Sequence, residues 1–168
     1  GSTITGGLNG LIVGTDANAS TVIQSSIVLD STQVEGQSGS AIVVGYSPAN
    51  IPGVANIEVR NGSTLIGGNG TLLEVRTGAA ADLLVDNSTL AGNIVVDEGG
   101  SGNVVLQNAA ALTGDMQNVT SATLNNQASM TGNVLGASNV VINNASTLTG
   151  NLQDVANVSI NNRSVMVG

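Results

Sequence analysis

Asn126-Gln127-Ala128-Ser129-Met130-Thr131-Gly132, Asn144-Ala145-Ser146-Thr147-Leu148-Thr149-Gly150 and Asn162-Arg163-Ser164-Val165-Met166-Val167-Gly168 are three renderings of one phrase, 18 residues apart. Self-similarity at a fixed period marks a repeat architecture and takes precedence over any local reading. The same frame reaches back to Asn108–Gly114, Asp86–Gly92, Asn61–Gly67 and Asp30–Gly36, and Ser2-Thr3-Ile4-Thr5-Gly6 fits its tail. The closing glycines fall at 6, 36, 67, 92, 114, 132, 150 and 168, with spacings of 30, 31, 25, 22, 18, 18 and 18. Seven coils therefore tile the chain from Gly6 to Gly168.

The phase of the apolar residues identifies the coil. Stacking the regular units aligns Met116/Val134/Leu152, Val119/Ala137/Val155, Ala122/Val140/Val158, Leu124/Ile142/Ile160 and Met130/Leu148/Met166. Within a unit, 122 and 124, or 128 and 130, alternate with period two, which is the mark of a strand with one buried face. Frequent glycine and β-branched residues weigh against helix. The expectation is an all-β chain forming a right-handed parallel β-helix of about seven three-stranded coils. Its handedness follows the crossover rule for parallel strands. Coils stacked ~4.8 Å apart make a rod of about 34 Å. A stack of similar coils cannot bury its own ends, so this reads as a segment of a longer solenoid. The start at Gly1-Ser2, without methionine, agrees with that reading. Residues 1–168 form a single segment, with longer coils and side loops over 1–114 and regular coils over 115–168.

Composition excludes several functions. The 168 residues include 11 acidic and 3 basic side chains, for a net charge of -8, and there is no histidine, cysteine, tryptophan or phenylalanine. Lysine is absent too, the basic residues being Arg60, Arg76 and Arg163. So few cations argue against nucleic acid and anionic membranes as partners. No imidazole or thiol is present for metal binding or nucleophilic catalysis. No apolar run approaches the ~20 residues of a membrane span. Apolar residues make up 41% of the chain, and nearly all are small aliphatics, suited to thin layers.

Asn108, Asn126, Asn144 and Asn162 recur at one corner. Asparagine tolerates left-handed backbone and bonds to turns, so the column is expected to form a structural ladder. The surplus of the long coils is placed at another corner, near Thr15–Ser20, Tyr46–Gly53, Arg76–Ala81 and Asp97–Gly102. Insertions gathered on one edge often form a binding face. The candidates there are Tyr46, Asn50, Arg76, Asp97 and Glu98, weighed against simple tolerated surface loops.

Chemical motifs are sparse. Gly67-Gly68-Asn69-Gly70-Thr71-Leu72 approaches a calcium nonapeptide, but Leu72 stands where an aspartate is needed. Asp97-Glu98 as a calcium site is set against a solvated loop tip. Gly99-Gly100-Ser101-Gly102 lacks the lysine and helix of a phosphate loop. Thr-x-Thr steps at Thr3/Thr5 and Thr147/Thr149 break off in neighbouring coils, as at Val165 and Val167, against the regular array of an ice-binding surface. Eight Asn-x-Ser/Thr sequons arise mostly from the repeat itself. Polysaccharide lyases and hydrolases require carboxylates along one strand face, and the regular coils carry only Asp115 and Asp154. The expectation is no enzyme, no cofactor and no metal.

The units Asn-x-Ser-Thr-Leu-Thr-Gly-Asn (144–151) and Val-x-Ile-Asn-Asn (140–144 and 158–162) resemble passenger domains of Gram-negative type V autotransporters, in the pertactin-like and self-associating adhesin group. The resemblance runs over the whole chain. It implies a β-helix of the pectin-lyase type, export through an outer-membrane barrel and display at the cell surface. Partners would be a host-surface glycan, a matrix protein or an identical passenger. None of the family's catalytic motifs is present. The alternative reading is a carbohydrate-active or carbohydrate-binding β-helix of tailspike or lyase kind.

Overall fold

The computed structural model describes residues 1–14, 21–22, 24–45 and 53–168, and these form a parallel β-helix. Every strand pairing is parallel, and each joins a strand to its counterpart in an adjacent coil. Two faces are continuous seven-stranded sheets. The first runs from Leu11–Val13 through Ile42–Val44, Thr71–Val75, Asn93–Val96, Met116–Gln117 and Val134–Leu135 to Leu152–Gln153. The second runs from Gln24–Asp30 through Val54–Arg60, Ala80–Asp86, Ser101–Gln107, Ser121–Leu124 and Asn139–Ile142 to Asn157–Ile160. The third face is divided into a three-stranded sheet beginning at Ser2–Gly6 and a five-stranded one beginning at Thr89–Ala91.

The core consists of the predicted columns. Met116, Val134 and Leu152 pair in register, as do Leu124, Ile142 and Ile160, and Met130, Leu148 and Met166. The long coils extend the same columns, for example Ile57/Leu83/Val104 and Val59/Val85/Leu106. Nearly all of these side chains are fully buried between the end coils. Fully burying one such aliphatic is worth about 1.5–3 kcal/mol.

The long coils differ from expectation at their corners. Part of their surplus lengthens the second-face strands to seven residues, against four in the regular coils. Another part lies at a corner the sequence reading did not assign, just before the first face. There Gly10 and Ser40 sit in stacked turns, and Gly70 N–H closes a tight turn onto the Gly67 carbonyl. Gly68 and Asn69 N–H donate to the Gly36 and Gly39 carbonyls of the preceding coil, and Asn69 Oδ1 accepts from Thr71 N–H. The first-face sheet continues across these turns, whereas the third-face sheet breaks between Thr64–Gly67 and Thr89–Ala91.

Candidate binding surfaces

At the predicted edge, Arg76-Thr77-Gly78-Ala79 and Asp97-Glu98-Gly99-Gly100 are tight turns, each closed by an i to i+3 backbone bond of 2.9 Å. Gly78 and Gly99 have φ of 76° and 78° at the third position, the demand of a type II turn. Arg76 and Asp97 follow Val75 and Val96, which are paired in register, so the two turns stack. Arg76 Nε donates to Glu74 Oε1 at 3.0 Å. Thr15–Ser20, Tyr46 and Asn50 lie outside the described residues. Among the described residues, no three carboxylates are grouped to hold a metal ion.

The asparagine column forms a chain of side-chain amides. Asn108 Nδ2 donates to Asp86 Oδ2 at 2.9 Å, Asn126 to Asn108 Oδ1 at 3.2 Å, Asn144 to Asn126 Oδ1 at 3.2 Å and Asn162 to Asn144 Oδ1 at 3.0 Å. A second column runs beside it, where Asn161 donates to Asn143 and Asn144 reaches Asn125 at 2.7 Å. All four ladder residues are exposed and have φ between 51° and 54°. The asparagine that begins each turn therefore both adopts the left-handed backbone and links to the next coil.

The outer side of the second face holds residues that inward-column reasoning did not reach. Register aligns Ser26, Asn56, Asp82, Asn103 and Ser121 in one outward column, Val28, Glu58, Leu84, Val105 and Thr123 in a second, and Asp30, Arg60, Asp86 and Gln107 in a third. Between the first two lies a groove of about 410 Å³. Arg60 binds Asp30 at 2.9 Å and Glu58 at 3.1 Å. The bonds from Asn61 and Arg60 hold the Asp30 carboxyl below its ordinary pKa, and Asp30 in turn raises that of Arg60. Asp82 accepts from Asn103 Nδ2 at 2.8 Å, and Asp86 accepts from Gln107 and Asn108. The signal for this cluster was present in Val54–Arg60 and Ala80–Asp86, whose alternate positions hold Asn56, Glu58 and Arg60 in one and Asp82, Leu84 and Asp86 in the other. Stacking those two segments at period two would have found it.

Comparison with known proteins finds no matching family model, curated protein or solved structure.

Proposed function

We propose that the chain is a non-catalytic segment of a surface-displayed rod of the autotransporter passenger kind, and that it adheres by pairing with an identical rod. The observation carrying this reading is the exposed asparagine ladder along the regular coils. Each amide has two N–H donors and two acceptor lone pairs. Between coils Asn126 and Asn162 each donate one bond and Asn144 donates two, to Asn126 and Asn125, and all three residues are exposed. A second rod alongside offers the same array at the same ~4.8 Å interval. Individual bonds net only about 0.5–1.5 kcal/mol, but a row of them acts multivalently. Over 115–168 the only charges are Asp115, Asp154 and Arg163, so like-charge repulsion between paired rods is small there. Export through an outer-membrane barrel and display on the cell surface belong to the same proposal and rest on the sequence resemblance.

Sedimentation velocity across a concentration series tests it. Concentration-dependent dimers are expected, and the double variant Asn126→Asp, Asn144→Asp should abolish them while keeping the β-sheet circular dichroism. Monomers at every concentration would remove self-pairing and redirect the search to a host glycan or matrix protein. A second reading, a carbohydrate-active β-helix, is favoured by one observation: Glu58, Asp82 and Asp86 share an outer face with Arg60. Release of new reducing ends from a polysaccharide, lost in Asp82→Asn, would support that reading instead.

A further inference from the structure

The outer face of the long coils carries a surface that pairing through the ladder does not use. Outward positions on a sheet with one solvated face are normally polar. Here Val28 is 51% exposed, and Leu84 and Val105, on adjacent strands, share its outward column, with Glu58 between Val28 and Leu84. These three side chains form the floor of the 410 Å³ groove, whose polar wall is the Asn56, Asp82 and Asn103 column. That volume falls within the ordinary range for ligand clefts, about 300–1,000 Å³.

Charge separates the candidate occupants. Glu58 interrupts the floor, Asp30, Asp82 and Asp86 flank it, and Arg60 is engaged by Asp30 and Glu58. Among the described residues no cation pairs with Asp82 or Asp86. An occupant must therefore match an aliphatic floor and bring positive charge to the Asp82 wall. A neutral sugar brings neither, and its hydroxyls would be desolvated over Val28, Leu84 and Val105 at a cost. A second copy of this acidic face would add like charges. An extended peptide with alternating basic and aliphatic side chains meets both demands, and its backbone finds hydrogen-bonding partners in the Asn56 and Asn103 amides. We infer that this groove docks a basic, aliphatic, extended segment of a protein partner.

The test uses the whole 168-residue chain and a dye-labelled peptide of alternating lysine and leucine, read by fluorescence anisotropy. Lysine–serine and glutamate–leucine peptides serve as controls. The lysine–leucine peptide is expected to bind best. Leu84→Ser and Asp82→Asn should each weaken it about tenfold, the scale of one lost apolar or charge contact. Asp115→Asn, at the corner before the first face, should leave binding unchanged. Asp82 is exposed and Leu84 and Asp115 are half-buried, so melting curves report whether each variant is folded. Equal binding of the lysine–serine peptide would reduce the effect to net charge and overturn the proposal. So would insensitivity to both groove variants, or displacement of the peptide by a neutral oligosaccharide. These outcomes are independent of sedimentation, so the groove and the pairing rod fail separately.

Discussion

At the scale of single residues, the turn leaving the second face is governed by backbone sign. Arg60-Asn61-Gly62-Ser63 has positive φ at both central positions, 54° and 73°, and closes with a Ser63 N–H to Arg60 carbonyl bond. That is a type I′ turn, for which asparagine–glycine is the preferred pair. Later coils keep the asparagine and lose the glycine. Ala109, Gln127, Ala145 and Arg163 occupy the second central position with φ of 60° to 64°. A side chain with a Cβ is held there against about 1 kcal/mol of steric cost. Ala145→Gly should therefore stabilise the protein by about 1 kcal/mol in denaturant unfolding, even though glycine usually weakens a fold. A destabilised variant would show that the neighbouring coils, and not the turn, set the conformation. The buried serines of the same turn are satisfied as well: Ser63 Oγ donates to the Leu29 and Arg60 carbonyls, and Ser146 Oγ accepts from Ala128 N–H.

At the scale of elements, the corner after the third face explains why the closing glycine recurs. Gly132 has φ of 146°, and a Cβ built there would lie 2.1 Å from the Gly114 carbonyl oxygen. Gly114 has the same relation to Gly92. From Gly92 onward, backbone contact between coils, not flexibility, is what the position requires; at Gly6, Gly36 and Gly67 the nearest backbone is that of Asn9, Ser40 and Thr71 in the following turn. Gly132→Ala should cost at least about 2 kcal/mol, from a strained φ and a clash that cannot relax without parting two coils. Gly62→Ala is the matched control, since nothing lies within 4 Å of a Cβ there; equal losses would refute the contact argument. This glycine also made the fold legible. Its constant spacing fixed the register of the regular coils, so Leu124/Ile142/Ile160 could be assigned inward before any coordinates. In the long coils the spacing carried the total length of each turn but not its division among corners. Gly67-Gly68-Asn69-Gly70 resembled a failed calcium motif and proved to be a turn. Stacking inward columns alone also left Asp82, Leu84 and Asp86 unread, because their partners lie in coils of unequal length. The amide ladder was legible as a column, whereas its acceptors, the side-chain oxygens of the preceding coil, needed coordinates.

At the scale of the whole molecule, the coils are unequal. Second-face strands are seven residues long as far as Ser101–Gln107 and four residues long from Ser121–Leu124 onward. First-face strands have three residues at Leu11–Val13 and Ile42–Val44, five at Thr71–Val75 and only two from Met116–Gln117 onward. In a solenoid each coil contacts only its neighbours, so stability is close to a sum of coil and interface contributions. Native-state hydrogen exchange should follow that sum. Amides of Val54–Arg60 and Ala80–Asp86 are expected to be the most protected, and those of Ser121–Leu124 and Asn139–Ile142 to exchange sooner. Uniform protection along the rod would mean that it unfolds as one cooperative unit. The narrowing also gives the rod a mechanical direction. Pulled by its C-terminal end, it should yield first where the rungs are smallest, in packets of 18 residues or roughly 60 Å of extended chain. Each wider rung behind then demands more force for a longer release, so the molecule would lengthen under load like a graded spring.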